Sequence, residues 1–488
     1  MLSHPPRSPR PRSPRPRSPR PRSPRPRSPT RFERLRERFS KKTLVIAVIV
    51  ACLATLAISL IFINAQSGEK KIQQRIERLY STEDPEFLHV MGVLLGPPVL
   101  SGNRYRVLVN GERIFPAMLA AIRGAKETVD FETYIYWSGA TGKQFADALA
   151  ERARAGVKVH VLVDWAGSQK MEEALVDELK GAGVEIRKYH PPHWAHLGRL
   201  NNRTHRKLLV VDGRIGFTGG VGIAEQWSGD AQDPEHWRDT HFEVEGPVVA
   251  QMQGVFMDNW IKTAGEVLHG REYFPAIAPL ESTGQPAPIA RTTHGEQIAQ
   301  TAPPAGGAAQ VFSSSPRGGS ASMELMYLLS ITAAKRTIRL SSSYFVPNDL
   351  AVATMVSALG RGVKLQIIVP GPHTDTETVS AASKARWGEL LAAGAEIYEY
   401  QPTMYHCKVM IVDEFMVSTG STNFDDRSFR LNDEANLNIY DAAFAAEQVA
   451  IFAADLARSR RVTLAEWQAR PWRDKALEHL ASLFGSQL

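Results

Sequence analysis

Two stretches of this chain, RTHRKLLVVDGRIGFTGG (203–220) and MYHCKVMIVDEFMVSTGS (404–421), carry one pattern. His205, Lys207 and Asp212 match His406, Lys408 and Asp413, and Gly219-Gly220 and Gly420-Ser421 follow at the same distance. On an extended strand, residues i and i+2 point to one face, so each histidine projects with its lysine. The apolar runs 208–211 and 409–412 then suit strands buried on both faces. Asp212-Gly213 is a hairpin signal that puts Asp212 at the strand end, away from the His–Lys face. Asp212 and Asp413 are therefore candidates for either a catalytic or a structural role. The Gly-Gly and Gly-Ser pairs would let backbone approach a phosphate closely, so Gly219, Gly220, Gly420 and Ser421 are candidate substrate-binding residues.

Working outward, the sequence around each motif repeats. GAKETVDFETYIYW (124–137) is answered by AAKRTIRLSSSYFVP (333–347), and ALAERARAGVKVHVLV (148–163) by SALGRGVKLQIIVP (357–370). LKGAGVEIRKYHP (179–191) is answered by LLAAGAEIYEYQP (390–402). Each block reads as an apolar strand, an amphipathic helix, a Gly turn and a further β-branched strand. Alternating strands and helices predict an α/β fold with a sheet covered on both sides, built twice. The halves are expected at 106–275 and 309–488, joined by a Pro/Ala/Gly/Thr-rich linker at 276–308.

Brought together, the motifs would place two imidazoles and two ammoniums around one anionic centre, the set that phosphodiester exchange needs. One neutral imidazole attacks phosphorus, and the other, protonated, donates to the departing alkoxide. Histidine serves both roles because its unperturbed pKa is about 6.5. The lysines stabilise the equatorial oxygens as charge builds, so the site is expected to need no metal or other cofactor. Each imidazole needs a carboxylate behind it to fix its tautomer. Aligning RDTHFEVEG (238–246) with DEANLNIYD (433–441) pairs Asp239 with Glu434 and supplies one in each half. His190, His193 and His196, in YHPPHWAHLG with Trp194, lack a matching fourth ligand and read as solvent-facing rather than zinc-binding. Trp467 and Trp472 read as packing residues.

The chain has 488 residues and a formal net charge of +7, but the excess is local. Residues 1–42 hold 15 Lys+Arg and 2 Asp+Glu, leaving 43 basic and 49 acidic residues in 43–488. That mildly acidic remainder argues against a nucleic-acid partner. The Ser-Pro-Arg-Pro-Arg repeats of the tail predict an extended, disordered segment. Residues 43–63, TLVIAVIVACLATLAISLIFI, carry no charge and are long enough for one membrane span, assigned to 43–64. The basic excess upstream puts the tail in the cytosol and the remainder outside, with 65–105 as a juxtamembrane connector. Of the two cysteines, Cys52 lies in the apolar run and Cys407 in a motif, so a disulfide between them is not expected.

Over roughly 104–488 the sequence resembles the phospholipase D superfamily, marked by the paired HKD motif, and within it the bacterial cardiolipin synthases. WRDTHFEVEGPVV and NFDDRSFRLNDEANLNIYD strengthen the resemblance. It implies two phospholipase D-type α/β sandwich halves with pseudo-two-fold symmetry, a shared cleft and a phosphohistidine intermediate. It further implies that His205 attacks while His406 acts as acid and then base, and that two phosphatidylglycerols give cardiolipin and glycerol. The family pattern places Asn two residues past the small pair: Asn423 fulfils it as a substrate-binding residue, whereas Gly222 stands there in the first half. Several related synthases carry two apolar spans rather than one. Chemistry outside the cytosol lacks nucleotides, and swapping one phosphodiester for another needs none. Competing readings are a phospholipase D-type hydrolase, a nuclease with the same groups, and a non-catalytic lipid-binding protein. Two intact His–Lys pairs argue against the last.

Overall fold

The alternation of apolar strands with amphipathic helices builds the same unit twice. The structure, a computed structural model, describes residues 41–65, 72–191, 201–276, 306–315 and 322–483. The first unit contributes β1 (Leu100–Val109), β2 (Thr128–Thr133), β3 (Lys158–Asp164), β4 (Glu185–Tyr189), β5 (Arg203–Thr204), β6 (Leu208–Val211), β7 (Ile215–Gly219) and β8 (Thr240–Glu245). The second contributes β9 (Gly307–Ser314), β10 (Thr337–Ser342), β11 (Phe345–Val346), β12 (Lys364–Pro370), β13 (Glu396–Tyr400), β14 (Lys408–Val412), β15 (Met416–Gly420), β16 (Phe424–Asp425), β17 (Asn432–Tyr440) and β18 (Ser459–Val462).

The strands of both units run in one sheet, in the order β4-β3-β2-β6-β7-β8-β1-β9-β17-β15-β14-β10-β12-β13-β18. Reading outward from the β1–β9 joint, β8 corresponds to β17, β7 to β15, β6 to β14 and β2 to β10. The pseudo-two-fold therefore passes through an antiparallel pair, with Leu100 opposite Ala309. Repetition along the chain leaves open whether the halves share a sheet; here they do.

Both faces of the central strands are buried. Leu209 and Val211 of β6 pack with Phe115, Phe145 and Leu149 from helices Asn110–Gly124 and Ala140–Arg154. Leu208 and Val210, on the other face, join a cluster with Val409, Ile411 and Leu437 of the second half. Burying a Leu or Val side chain in such a layer contributes about 1.5–3 kcal/mol. Shared apolar burial thus welds the halves and fixes the cleft between them.

Within the stretch expected as a connector, Pro85–Leu95 is a helix. Its Phe87, Met91 and Leu95 are buried in the core of the second half beside Met323 and Met326. Residues 1–40, 66–71 and most of the expected linker lie outside the described residues. The expected membrane span falls on the 25-residue helix Lys41–Ala65. Its side chains are described continuously over 45–59, where they are exposed. Among the described residues, no helix is long and apolar enough to cross a membrane. Cys52 and Cys407 are free thiols.

Candidate active site

Each histidine is placed by backbone pairing with the opposite half. β5 runs parallel to β17, with Thr204 opposite Asp433, and the His205 amide donates to the Asp433 carbonyl at 2.9 Å. The second motif repeats this. Arg238 bridges Tyr405 in parallel, and the His406 amide donates to the Arg238 carbonyl at 2.8 Å. Because Asp433 precedes Glu434 and Arg238 precedes Asp239, this pairing carries each histidine to a carboxylate of the other half. His205 Nδ1 lies 3.0 Å and 3.1 Å from the two Glu434 oxygens, and His406 Nδ1 lies 2.7 Å from Asp239 Oδ2.

These pairs are buried, and their electrostatics fix the tautomers. Burial alone would raise the Glu434 and Asp239 carboxyls, but the facing histidine and nearby lysine outweigh it and hold both below the usual carboxylate value. An ionised carboxylate only accepts, so each Nδ1 carries the proton and each Nε2 keeps a lone pair. Burial pushes His205 down to about 4, with Lys207 adding to the effect, and burial and Lys408 push His406 down as well. At neutral pH both rings are free bases, the form a nucleophile requires.

The lysines lie beside the rings but differ in company. Lys408 Nζ donates to Ser343 Oγ at 2.7 Å and to the His406 carbonyl at 2.9 Å, and Ser343 in turn donates to Asn423 Oδ1 at 2.8 Å. Lys207 Nζ donates to the His205 carbonyl at 2.8 Å and lies 5.7 Å from the Tyr134 ring centroid. Tyr134 and Gly222 occupy the positions that Ser343 and Asn423 hold in the second half. Burial, then Lys408, push the Lys207 ammonium down to about 7, and burial lowers Lys408 too. His205, Lys207, His406 and Asn423 line one cavity of about 460 Å³.

Asp212 and Asp413 are corrected by the geometry: neither lines this cavity. The Asp212 carboxylate accepts the amides of Lys126, Glu127 and Thr128, at 2.8–3.1 Å. Asp413 accepts those of Lys335, Arg336 and Thr337 at 2.7–2.9 Å, and the Thr82 hydroxyl at 2.6 Å. Both sit in the left-handed region, at φ 52° and 51°, which Asp tolerates. They clamp the turn entering the neighbouring strand.

Gly219, Gly220, Gly420 and Ser421, expected to bind substrate, do not line the cavity either. A Cβ on Gly220 would lie 2.2 Å from Asp239 Oδ1, and one on Gly420 2.2 Å from the Ala435 carbonyl. Ser421 donates its hydroxyl to Glu434. Smallness here lets the orienting carboxylates reach the histidines. At Gly222 a Cβ would meet Ile135 at 2.8 Å and the Trp227 ring at 3.2 Å. An indole fills the space where the family pattern has Asn.

Several contributors escape the sequence reading. Trp227 donates its indole N–H to Asp239 Oδ2 at 3.0 Å, the oxygen that His406 also uses. Trp227 and Trp237 lie 5.3 and 5.5 Å from the His406 ring. Arg206, fully buried between His205 and Lys207, donates to the Val255 carbonyl at 2.8 Å and to Asp258 at 3.1 Å. Arg238 makes a bidentate pair with Asp455 at 2.9 and 2.8 Å, fixing the carbonyl that holds His406. The position of these cations beside the motif residues was the available signal. Trp467 packs as expected, donating to the Lys384 carbonyl at 2.7 Å, but Trp472 is 74% exposed. His193, Trp194 and His196 lie outside the described residues, whereas His190 stacks on Tyr189 at 4.0 Å. Among the described residues, no group of three or more His, Cys, Asp or Glu could hold a metal ion.

Known proteins resemble this chain in sequence and in fold. The family model described as cardiolipin synthase, PLD-like domain, matches residues 118–252 and 327–456. A probable cardiolipin synthase of Bacillus subtilis (strain 168), YwiE, is 32% identical over 78% of this chain and 72% of its own length. The cardiolipin synthase of Geobacillus kaustophilus (strain HTA426) is 33% identical over 80% and 74%. The crystal structure of a phosphatidylserine synthase from Haemophilus influenzae Rd KW20 superposes with a TM-score of 0.59 at 16% identity, covering 82% of this chain and 100% of that one, which bears on fold alone. With both halves of the repeat matched and each histidine locked to a carboxylate of the other half, the chain belongs to the cardiolipin synthase family of phospholipase D-like proteins.

Proposed function

We propose that this protein is a cardiolipin synthase-type phosphatidyltransferase, converting two phosphatidylglycerols into cardiolipin and glycerol. The observation that carries this reading is the crossed pair of His–carboxylate contacts, His205–Glu434 and His406–Asp239, opening with Lys207 into one cavity. In the first step the His205 Nε2 lone pair forms a bond to phosphorus. The phosphorus–oxygen bond to the head-group glycerol breaks, and a proton from the His406 imidazolium goes to the departing oxygen. In the second step a hydroxyl of another phosphatidylglycerol gives its proton to His406 and attacks phosphorus, releasing His205. The lysines offset charge on the equatorial oxygens. An anionic phosphodiester in the cavity raises the low His406 pKa and supplies the driving force for its protonation. His205, Lys207, His406 and Lys408 are thus the reacting set, Asp239 and Glu434 orient it, and Asn423 contacts phosphate.

The same reading includes membrane attachment. The uncharged run at 43–63, inside a helix of 25 residues, extends about 32 Å at 1.5 Å per residue, and the basic tail favours a cytosolic N-terminus. We place the catalytic halves, 106–275 and 309–488, on the extracytoplasmic side.

The test is incubation of the purified full-length protein with phosphatidylglycerol vesicles in EDTA, followed by mass spectrometry of the lipids. Cardiolipin with free glycerol, lost in His205→Ala and in His406→Ala, is the expected outcome. Phosphatidic acid without cardiolipin would make the enzyme a hydrolase instead.

A further inference from the structure

Both histidines line the cavity, but the charge on its wall is not symmetric. Arg203, His205 and Lys207 alternate along β5 and its extension, so the pleat aims all three to one side, and all three line the cavity. Arg427, from the short helix Asp426–Arg430, lines the same wall. Its Nη2 donates to the Asn201 carbonyl at 3.2 Å, and Arg203 Nη1 donates to the Asn202 carbonyl at 3.4 Å, so two adjacent carbonyls steer both guanidiniums. Arg203 also lies 5.8 Å from the Trp165 ring. Burial lowers the Arg427 pKa and the charge of Arg203 adds to that, so the two cations feel each other.

The pseudo-two-fold maps Arg203 onto Met404 and Arg427 onto Gln226. Met404 is buried and neutral, and the wall beside His406 is made of Trp227 and Trp237. One half of the cavity therefore carries two guanidiniums in addition to Lys207, whereas Lys408, the matching ammonium, is not on its wall. Carboxylates share this region: Asp375 and Asp425 line the same cavity, and burial pushes Asp425 up to about 7 and Asp164 up to about 6, with Arg427 and Arg203 opposing those shifts. The Tyr344 hydroxyl donates to Asp375, and the Ser428 amide donates to Asp425 at 2.7 Å. The amides of Ala166, Gly167 and Thr204 donate to Asp164 at 2.8–3.1 Å.

A single phosphodiester held between two His–Lys pairs gives no reason for this polarity. A reaction joining two phospholipids does, because the acceptor brings a second phosphate one glycerol unit from its attacking hydroxyl. Resting on the synthase reading above, we propose that Arg203 and Arg427 form a second phosphate subsite that holds the phosphodiester of the acceptor lipid. Guanidiniums suit the task through bidentate hydrogen bonding to phosphate oxygens. Water brings no phosphate and gains nothing from this subsite, so it also biases the enzyme toward transfer over hydrolysis.

The test uses two soluble acceptors that differ by one phosphodiester, labelled glycerol and glycerophosphoglycerol, with phosphatidylglycerol in mixed micelles as donor. For the full-length wild-type protein, the KM for glycerophosphoglycerol should lie at least tenfold below that for glycerol. In Arg203→Gln and Arg427→Gln, the ratio of the two KM values should fall to threefold or less. No preference in the wild type, or a preference kept in both variants, would overturn the subsite. The wild-type comparison decides even if a variant fails to fold. Failure of the synthase reading looks different: the wild type then transfers phosphatidyl groups to neither alcohol.

Discussion

The His205 Nδ1 lies 3.0 Å from an oxygen of Glu434, a residue 229 positions away in the other half. His406 and Asp239 make the reciprocal contact at 2.7 Å. In each contact the histidine comes from one half and the carboxylate from the other, so the halves must be assembled before either contact forms.

The crossed wiring predicts crossed phenotypes. Glu434→Gln should behave like a His205 variant, losing the initial burst of glycerol release, although the substitution lies in the second half. Asp239→Asn should behave like a His406 variant, slowing departure of glycerol and attack by the acceptor. Each should lower kcat by about 10²–10⁴-fold, the usual contribution of a positioned acid or base. Rapid-quench measurement of glycerol release checks the assignment, and swapped phenotypes would refute it.

Gly220→Ala should cut kcat at least tenfold while the fold persists. The new methyl, 2.2 Å from Asp239 Oδ1, must displace the carboxylate that His406 uses. Gly222→Asn should not improve the enzyme even though it restores the family pattern, because Ile135 and Trp227 already fill that space. Circular dichroism together with steady-state kinetics separates loss of fold from loss of activity.

Asp413→Ala should damage stability more than chemistry. It strips three amides and one hydroxyl of their buried acceptor, at a cost of about 1–3 kcal/mol for each group that finds no water. Urea unfolding should show a midpoint shifted well down, with kcat per folded molecule within about threefold of wild type. A loss of several orders of magnitude in a folded variant would return Asp413 to the catalytic set.

The pH profile of kcat, measured with phosphatidylglycerol saturating so that bound phosphate already holds the proton on His406, should be bounded by His205 on the acid side and by Lys207 on the alkaline side. Below about 4, His205 is protonated and has no lone pair to offer. Lys207 has a lowered pKa of about 7, so it is charged below that pH and loses its charge above it, taking phosphate stabilisation with it. In Lys207→Arg the cation persists, and the alkaline limb should move upward by at least one pH unit whatever happens to the plateau height. An alkaline limb unmoved by this change would assign it to another group.

Much of this was legible along the chain. The two His-x-Lys pairs and the repeated strand–helix blocks follow from spacing and periodicity, because a strand's pleat and a helix's turn are local properties, and the equivalence of Asp239 and Glu434 follows from aligning the halves. The tertiary structure decided what local rules cannot reach. Parallel pairing of β5 with β17, and of Arg238 with Tyr405, fixed which carboxylate serves which histidine. Folding placed Asp212 and Asp413 under backbone amides distant in sequence, and buried the helix Pro85–Leu95 in the second half. It also gathered Arg203 and Arg427, one from each half, on a single wall of the cavity. The sequence determined which chemical groups the protein owns. Long-range strand pairing and shared apolar burial decided which of them meet, since register between distant strands is set by the whole sheet.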